Sequence, residues 1–351
     1  MMVFPWHQSQ WQQLMGGQAL HHGLMLTGLR GVGKWEFCVH LARFLLCNEK
    51  QNSPENQPCG ECQSCELFQA GTHPDFHVLT SELENVNSRL SLVQNYGDRY
   101  QNAEARDKKA KPSKIIPIHQ IRQLIDQFST SAHIARHKVA LIAPADCLNI
   151  NASNALLKLL EEPPEGSTLI LMTPLPGSLP ATIRSRCMVI NLRTPDSDSG
   201  LKWLAGEIDG NAELMASALE AASGGPLEAK RLLESGDFQQ HHQYLDRFSD
   251  LLIAKVGPLE LASDLAKADF PGLITWLSRF VGAIVKWKVG AAKPGWFDID
   301  NMPWASRTIS VEKLFLLQDR IHFYQSIARE PINVQLALED LLMSFATISR
   351  R

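Results

Sequence analysis

Residues 28–34 read Gly-Leu-Arg-Gly-Val-Gly-Lys, after a short apolar run at Gly23–Thr27 and before a helix-periodic stretch at 35–46. The spacing G-x-x-x-x-G-K suits a strand-to-helix turn. Its glycines let backbone N–H groups face an anion, and the helix N-terminus adds favourable partial charge. This feature commits the first part of the chain to an α/β architecture. The flanking pattern agrees. Trp35, Cys38, Leu41, Ala42 and Leu45 share one helical face, and so do Ala152, Ala155, Leu156, Leu159 and Leu160, before Pro163-Pro164 ends the second helix. Residues 118–128 read as another helix. Strands are expected at 75–79, 138–143, 168–173 and 187–192. Continuous apolar strands alternating with helices imply a parallel sheet covered on both faces.

Two stretches depart from this pattern. Residues 82–114 are polar and weakly periodic, which predicts a long surface excursion. Its end, residues 104–114, carries five basic and two acidic residues, read as a solvated loop with a nucleic-acid contact as the alternative. After Leu192 strand patterns stop. Arg-Thr-Pro-Asp-Ser-Asp-Ser-Gly reads as a linker, and helices are expected at 201–208, 212–223, 227–235, 243–256, 258–266, 271–289 and 311–349. The expected division is an α/β domain at 1–194, a small helical unit at 195–235 and a helical bundle at 236–351.

The glycine loop lacks a part. Gly28, Gly31, Gly33 and Lys34 can meet an anion, but Trp35 stands where Ser or Thr would offer a hydroxyl to Mg²⁺. The strand at 138–143 runs into Ala143-Pro144, where an acidic pair would be needed, and Asp146 lies beyond it. Two independent defects predict no nucleotide hydrolysis and a loop retained as a turn. The alternative is a self-sufficient ATPase with an atypical magnesium site. No acidic cluster suited to nucleotidyl transfer is evident.

Of the seven cysteines, Cys47, Cys59, Cys62 and Cys65 form a C-x2-C-x2-C run with one upstream partner. Four thiolates can enclose a structural Zn²⁺ tetrahedrally, with no open position. An iron–sulfur cluster is the rival, although its usual fourth cysteine and proline are replaced by Gln69-Ala70; unliganded thiols are the third reading. His73 and His77 are not needed as ligands, and Cys38, Cys147 and Cys187 read as buried singles. An odd cysteine count, and an N-terminus without a basic-then-apolar signal, predict the reducing cytoplasm. Apolar runs fall short of the ~20 residues a membrane span needs. The net charge of −3 does not announce a nucleic-acid binder, so local patches carry that question.

Three stretches together carry a family resemblance: residues 148–164, with Asn-Ala-Leu-Leu-Lys-Leu-Leu-Glu-Glu-Pro-Pro; residues 179–187, ending Ser185-Arg186-Cys187; and the cysteine knuckle after the phosphate-loop helix. The chain resembles the clamp-loader branch of the AAA+ ATPases in bacterial DNA polymerase III, in its non-hydrolysing form. The resemblance implies a RecA-like AAA+ domain with a zinc knuckle, a helical lid at 195–235 and a helical collar at 236–351. It implies partners as well. These are motor (gamma/tau) and delta subunits in a hetero-pentameric ring, the sliding clamp indirectly, and primed DNA through the complex, with no membrane. ATP would be contacted only at the neighbouring subunit, by Arg186 as an arginine finger in trans, with Ser185 beside it and Arg184 as a second cation. Such fingers contribute ~10³–10⁵ in rate. A polymerase (nucleotidyltransferase) classification would belong to the holoenzyme. Thr173 falls at the family's sensor position but reads as a strand-end threonine. The lid's sensor position holds Pro226-Leu227-Glu228, with Arg231 further along the helix. Lys158 reads as a solvated lysine or a DNA contact.

Overall fold

The computed structural model describes all residues except 1–2, 17–19, 50–55, 88–90, 102–111, 210, 236, 292, 306–307, 329–331 and 349–351. The chain divides into two compact units, Met1–Thr194 and Pro195–Arg351.

In the first unit the order is α1 (Gln8–Met15), β1 (Gly23–Thr27), α2 (Lys34–Leu46), α3 (Gln63–Gln69), β2 (Phe76–Leu79), α4 (Glu82–Asn87), α5 (Ser91–Gly97), α6 (Ile118–Phe128), β3 (Lys138–Ile142), α7 (Ile150–Glu161), β4 (Ser167–Thr173), α8 (Ala181–Arg184) and β5 (Met188–Asn191). The strands form one sheet in the order β2-β3-β4-β1-β5, and every pairing is parallel. Because successive strand side chains point to opposite faces, each strand feeds two cores. Leu24, Leu26, Val139, Leu141, Ile170 and Met172 pack with α2 residues such as Phe37 and Leu41 on one face. Met25, Ala140, Ile142, Leu169 and Leu171 meet Ile121, Leu124, Leu156 and Leu160 of α6 and α7 on the other. The register sets Thr27 beside both Thr173 and Asn191 at the carboxyl ends of the strands, where such sheets build their sites.

Local signals explain the boundaries. The Asn149 side chain accepts the Ala152 N–H at 2.7 Å to start α7, and the helix ends before Pro163. The edge strand β5 differs from the expectation of a sheet covered on both faces, since Met188 and Val189 are exposed and only Ile190 is buried.

The surface excursion expected at 82–114 is corrected. Its described part folds into α4, α5 and a 3-10 turn at Asp98–Tyr100. Val93, Tyr96 and Tyr100 recur at i, i+3 and i+7 and are buried. Tyr96 meets Phe76 edge-on at 4.7 Å. The Arg99 guanidinium lies 4.5 Å from the Tyr96 ring and donates to the carbonyls of Gly71, His73 and Phe76. Most of the basic run at 104–114 lies outside the described residues.

The second unit holds α9 (Ser197–Glu207), α10 (Ala212–Ala221), α11 (Pro226–Ser235), α12 (Asp237–Leu252), α13 (Pro258–Leu265), α14 (Phe270–Lys288), α15 (Val311–Ile327) and α16 (Val334–Ala346). Its described residues contain no strand. The single helical stretch expected at 311–349 is two helices, and the second is begun by Asn333, whose side chain accepts the Leu336 N–H. One apolar cluster runs from Leu204 through Phe248, Trp276, Phe280 and Trp304 to Phe345, so residues 195–235 share a core with the remainder. Buried Trp304 donates its indole N–H to Ser249 Oγ at 3.0 Å, which satisfies the polar end of a fully enclosed ring. No helix among the described residues is long and apolar enough to cross a membrane.

Candidate functional site

The glycine loop occupies the turn between β1 and α2. Gly28, Gly31 and Gly33 adopt φ of 145°, 73° and 95°, which side chains disfavour. The contents of the loop come from this chain. Lys34 Nζ turns back to the carbonyls of Gly28 (3.0 Å) and Leu29 (2.6 Å). Burial brings the Lys34 ammonium down to about 8, with Asp146 and Glu36 among the groups opposing that shift. The Phe4 ring packs directly on Gly33, close enough that a Cβ there would overlap it. Phe4 stacks on Trp6 at 4.7 Å, and Trp6 donates its indole N–H to the Val32 carbonyl at 3.0 Å. Trp35, at the hydroxyl position, is partly buried and packs against the core.

At the end of β3, Ala143 is buried and Pro144 follows it, so no carboxylate projects from those positions. Asp146 comes closer than the sequence suggested, since its Oδ1 accepts the Thr173 hydroxyl at 2.8 Å. Thr173 Oγ1 also accepts the Leu175 N–H, so the side chain at the family's sensor position is engaged by Asp146 and by the chain just beyond its own strand. In the second unit, Arg231 pairs with Glu228 on the same helix.

Arg186 follows the one-turn helix α8, which is pinned by fully buried Ile183. Its NH1 donates to the Thr182 carbonyl at 2.9 Å, and its NH2 pairs with Glu161 Oε1 at 2.7 Å. Ser185 Oγ donates to the same Thr182 carbonyl. Gly23 lets the start of β1 approach this segment, for a Cβ there would lie 3.0 Å from the Arg186 carbonyl oxygen and 2.9 Å from Leu160. Ser185, Arg184 and Lys158 are exposed.

Cys47 ends α2, Cys59 and Cys62 flank a turn containing Gly60 at φ 85°, and Cys65 lies in α3. All four Sγ atoms lie within 4.8 Å of one another, with Cys47–Cys62 at 3.9 Å and Cys59–Cys65 at 4.0 Å. Tetrahedral Zn–S bonds of ~2.3 Å would put the sulfurs about 3.8 Å apart, so the set fits that ion. The N–H groups of Cys59 and Cys62 donate to Cys47 and Cys59 sulfurs. Burial opposes ionisation of Cys62, yet hydrogen bonds from the Cys65 and Asn48 backbones outweigh it and bring the thiol to about 7.

The neighbouring histidines are engaged elsewhere. His73 contacts Ser64 Oγ at 2.9 Å and accepts the Asp75 N–H, which ties the knuckle to β2. Asp75 in turn accepts three N–H groups, from His133, Ile134 and Ala135. His77 Nδ1 contacts the Tyr100 hydroxyl at 2.6 Å. Cys38 and Cys147 are buried, whereas Cys187 is only partly so. The sequence reading missed Phe4 over the loop, although the aromatic Phe4-Pro5-Trp6 start was a visible signal, and it missed Glu161.

The strand order and the glycine loop after β1 define a RecA-like AAA+ fold. A family model described as "DNA polymerase III, delta subunit" matches residues 6–196, and one for its C-terminal part matches residues 235–347. The chain is 30% identical to the DNA polymerase III subunit delta' of Pseudomonas aeruginosa, over 99% of this chain and 98% of that protein. It is 32% identical to the subunit delta' of Yersinia pestis, over 95% and 86%. A DNA polymerase III subunit tau/gamma of Haemophilus influenzae is 31% identical over 53% of this chain and 22% of its own length. The chain belongs to the DNA polymerase III delta subunit family.

Proposed function

We propose that this chain is a non-hydrolysing stator of the DNA polymerase III clamp loader, acting in the cytoplasm. It supports ATP-driven loading of the sliding clamp on primed DNA, in a hetero-pentamer with the motor and delta subunits. Residues 195–235 act as a lid and residues 236–351 as a collar for assembly. The observation that carries this reading is the state of the phosphate loop. Its lysine is spent on the loop's own carbonyls, Phe4 covers Gly33, and neither a hydroxyl at 35 nor a carboxylate at 143–144 is available for magnesium. The delta' names of relatives matched over nearly their whole length support the same role.

Arg186 supplies the charge in trans. Its planar, permanently charged fork can engage a γ-phosphate of a neighbouring subunit in bidentate fashion and stabilise charge in the transition state. Cys47, Cys59, Cys62 and Cys65 hold a Zn²⁺ whose work is structural, since four sulfurs leave no coordination position open. Equilibrium binding of labelled ATP to the isolated chain tests the loop. No magnesium-dependent binding or turnover is expected. Tight binding followed by hydrolysis would instead make the chain a self-sufficient ATPase with an atypical magnesium site.

A further inference from the structure

We propose that Glu161 is a removable counter-ion for Arg186, holding the guanidinium against α7 until phosphate displaces the carboxylate. The inference rests on the reading of Arg186 as the arginine supplied in trans. The geometry is specific. One terminal nitrogen of Arg186 meets Glu161 Oε1 at 2.7 Å, while the other is anchored on the Thr182 carbonyl at 2.9 Å. The anchored side fixes the arm. The paired side faces a group that can be exchanged.

Helix stability does not account for a carboxylate at this position. Glu161 is the last residue of α7, where the partial charge of the helix is negative and a carboxylate is disfavoured. Glu162 and Glu165 follow it and are exposed, so the arginine sits at the edge of an acidic stretch. That field lowers the attraction of the isolated chain for stray anions. The pair is also weak enough to exchange, because the two side chains are 37% and 49% exposed and screened by water. A triphosphate brings more charge and several acceptor oxygens, and it can take the donor position that Glu161 leaves. Glu161 is thus a positioning residue that sets how readily the finger engages.

The test uses the reconstituted complex with motor subunits, comparing Glu161→Gln, Arg186→Ala and the double variant with the parent. Removing the competing carboxylate should lower the KM for ATP about two- to five-fold, the range a surface pair contributes, with kcat unchanged. In the Arg186→Ala background the same substitution should change nothing. A KM that stays the same or rises in Glu161→Gln, while Arg186→Ala abolishes interface hydrolysis, overturns the counter-ion role alone. Unchanged hydrolysis in Arg186→Ala overturns the trans-arginine reading and this inference with it. Inorganic tripolyphosphate titrated into the isolated chain, followed by the Arg186 guanidinium NMR signal, gives a readout independent of turnover. Glu161→Gln should bind it more tightly by the same factor, and equal affinity would count against the proposal.

Discussion

Lys34, in the glycine loop, and Arg186, proposed above as the arginine supplied in trans, are cations in very different surroundings. Lys34 is buried and donates to two carbonyls of its own loop. Arg186 is partly exposed and pairs with the Glu161 carboxylate. Buried polar residues elsewhere carry stability. Burial, reinforced by the charges of Lys138 and Arg99, brings His77 down to about 4 from 6.5. The imidazole therefore stays neutral in the fold while the unfolded chain takes up a proton. Stability is fully present above about pH 6.5 and is lost as pH falls toward about pH 4. By pH 5 the loss amounts to about 2 kcal/mol from this residue. Denaturant unfolding at about pH 7 and pH 5 should show the drop in the parent and a smaller one in His77→Phe. An equal drop in both would remove His77 as its source.

Among the elements, the knuckle and the α4–α5 segment brace the same side of the sheet. Ser64, between Cys62 and Cys65, donates to the Leu46 carbonyl and meets His73, whose N–H is accepted by the Tyr96 hydroxyl. Removing the metal should therefore loosen more than its own loop. About one zinc per chain is expected by metal analysis, and a strong chelator should lower the melting temperature and deprotect the α5 amides to hydrogen exchange. A chain free of metal, or one whose stability is indifferent to chelation, would sink this account of the cluster. The glycine loop, the cysteine knuckle and the α7 helix were legible in the sequence because their signals are local: spacing, a one-sided apolar period and a helix-stopping proline pair. The α4–α5 segment was not, since the anchors Val93, Tyr96 and Tyr100 lie among polar neighbours that dilute the period. Phe4 over Gly33, Asp146 on Thr173 and Glu161 on Arg186 join residues far apart in the chain, and no spacing rule brings such partners together.

At the scale of the whole molecule, two units divide the labour. The first carries the sheet, the closed phosphate loop, the knuckle and the arginine. The second buries a single aromatic-rich core and has no strand among its described residues. On the proposed reading, this chain contributes to hydrolysis it does not itself perform. The most direct measurement is ATP hydrolysis by a complex reconstituted with Arg186→Ala, alongside the mass of that complex. The expected result is an intact assembly in which hydrolysis at the interface served by Arg186 falls by about 10³-fold or more. Unchanged hydrolysis in an intact complex would contradict it.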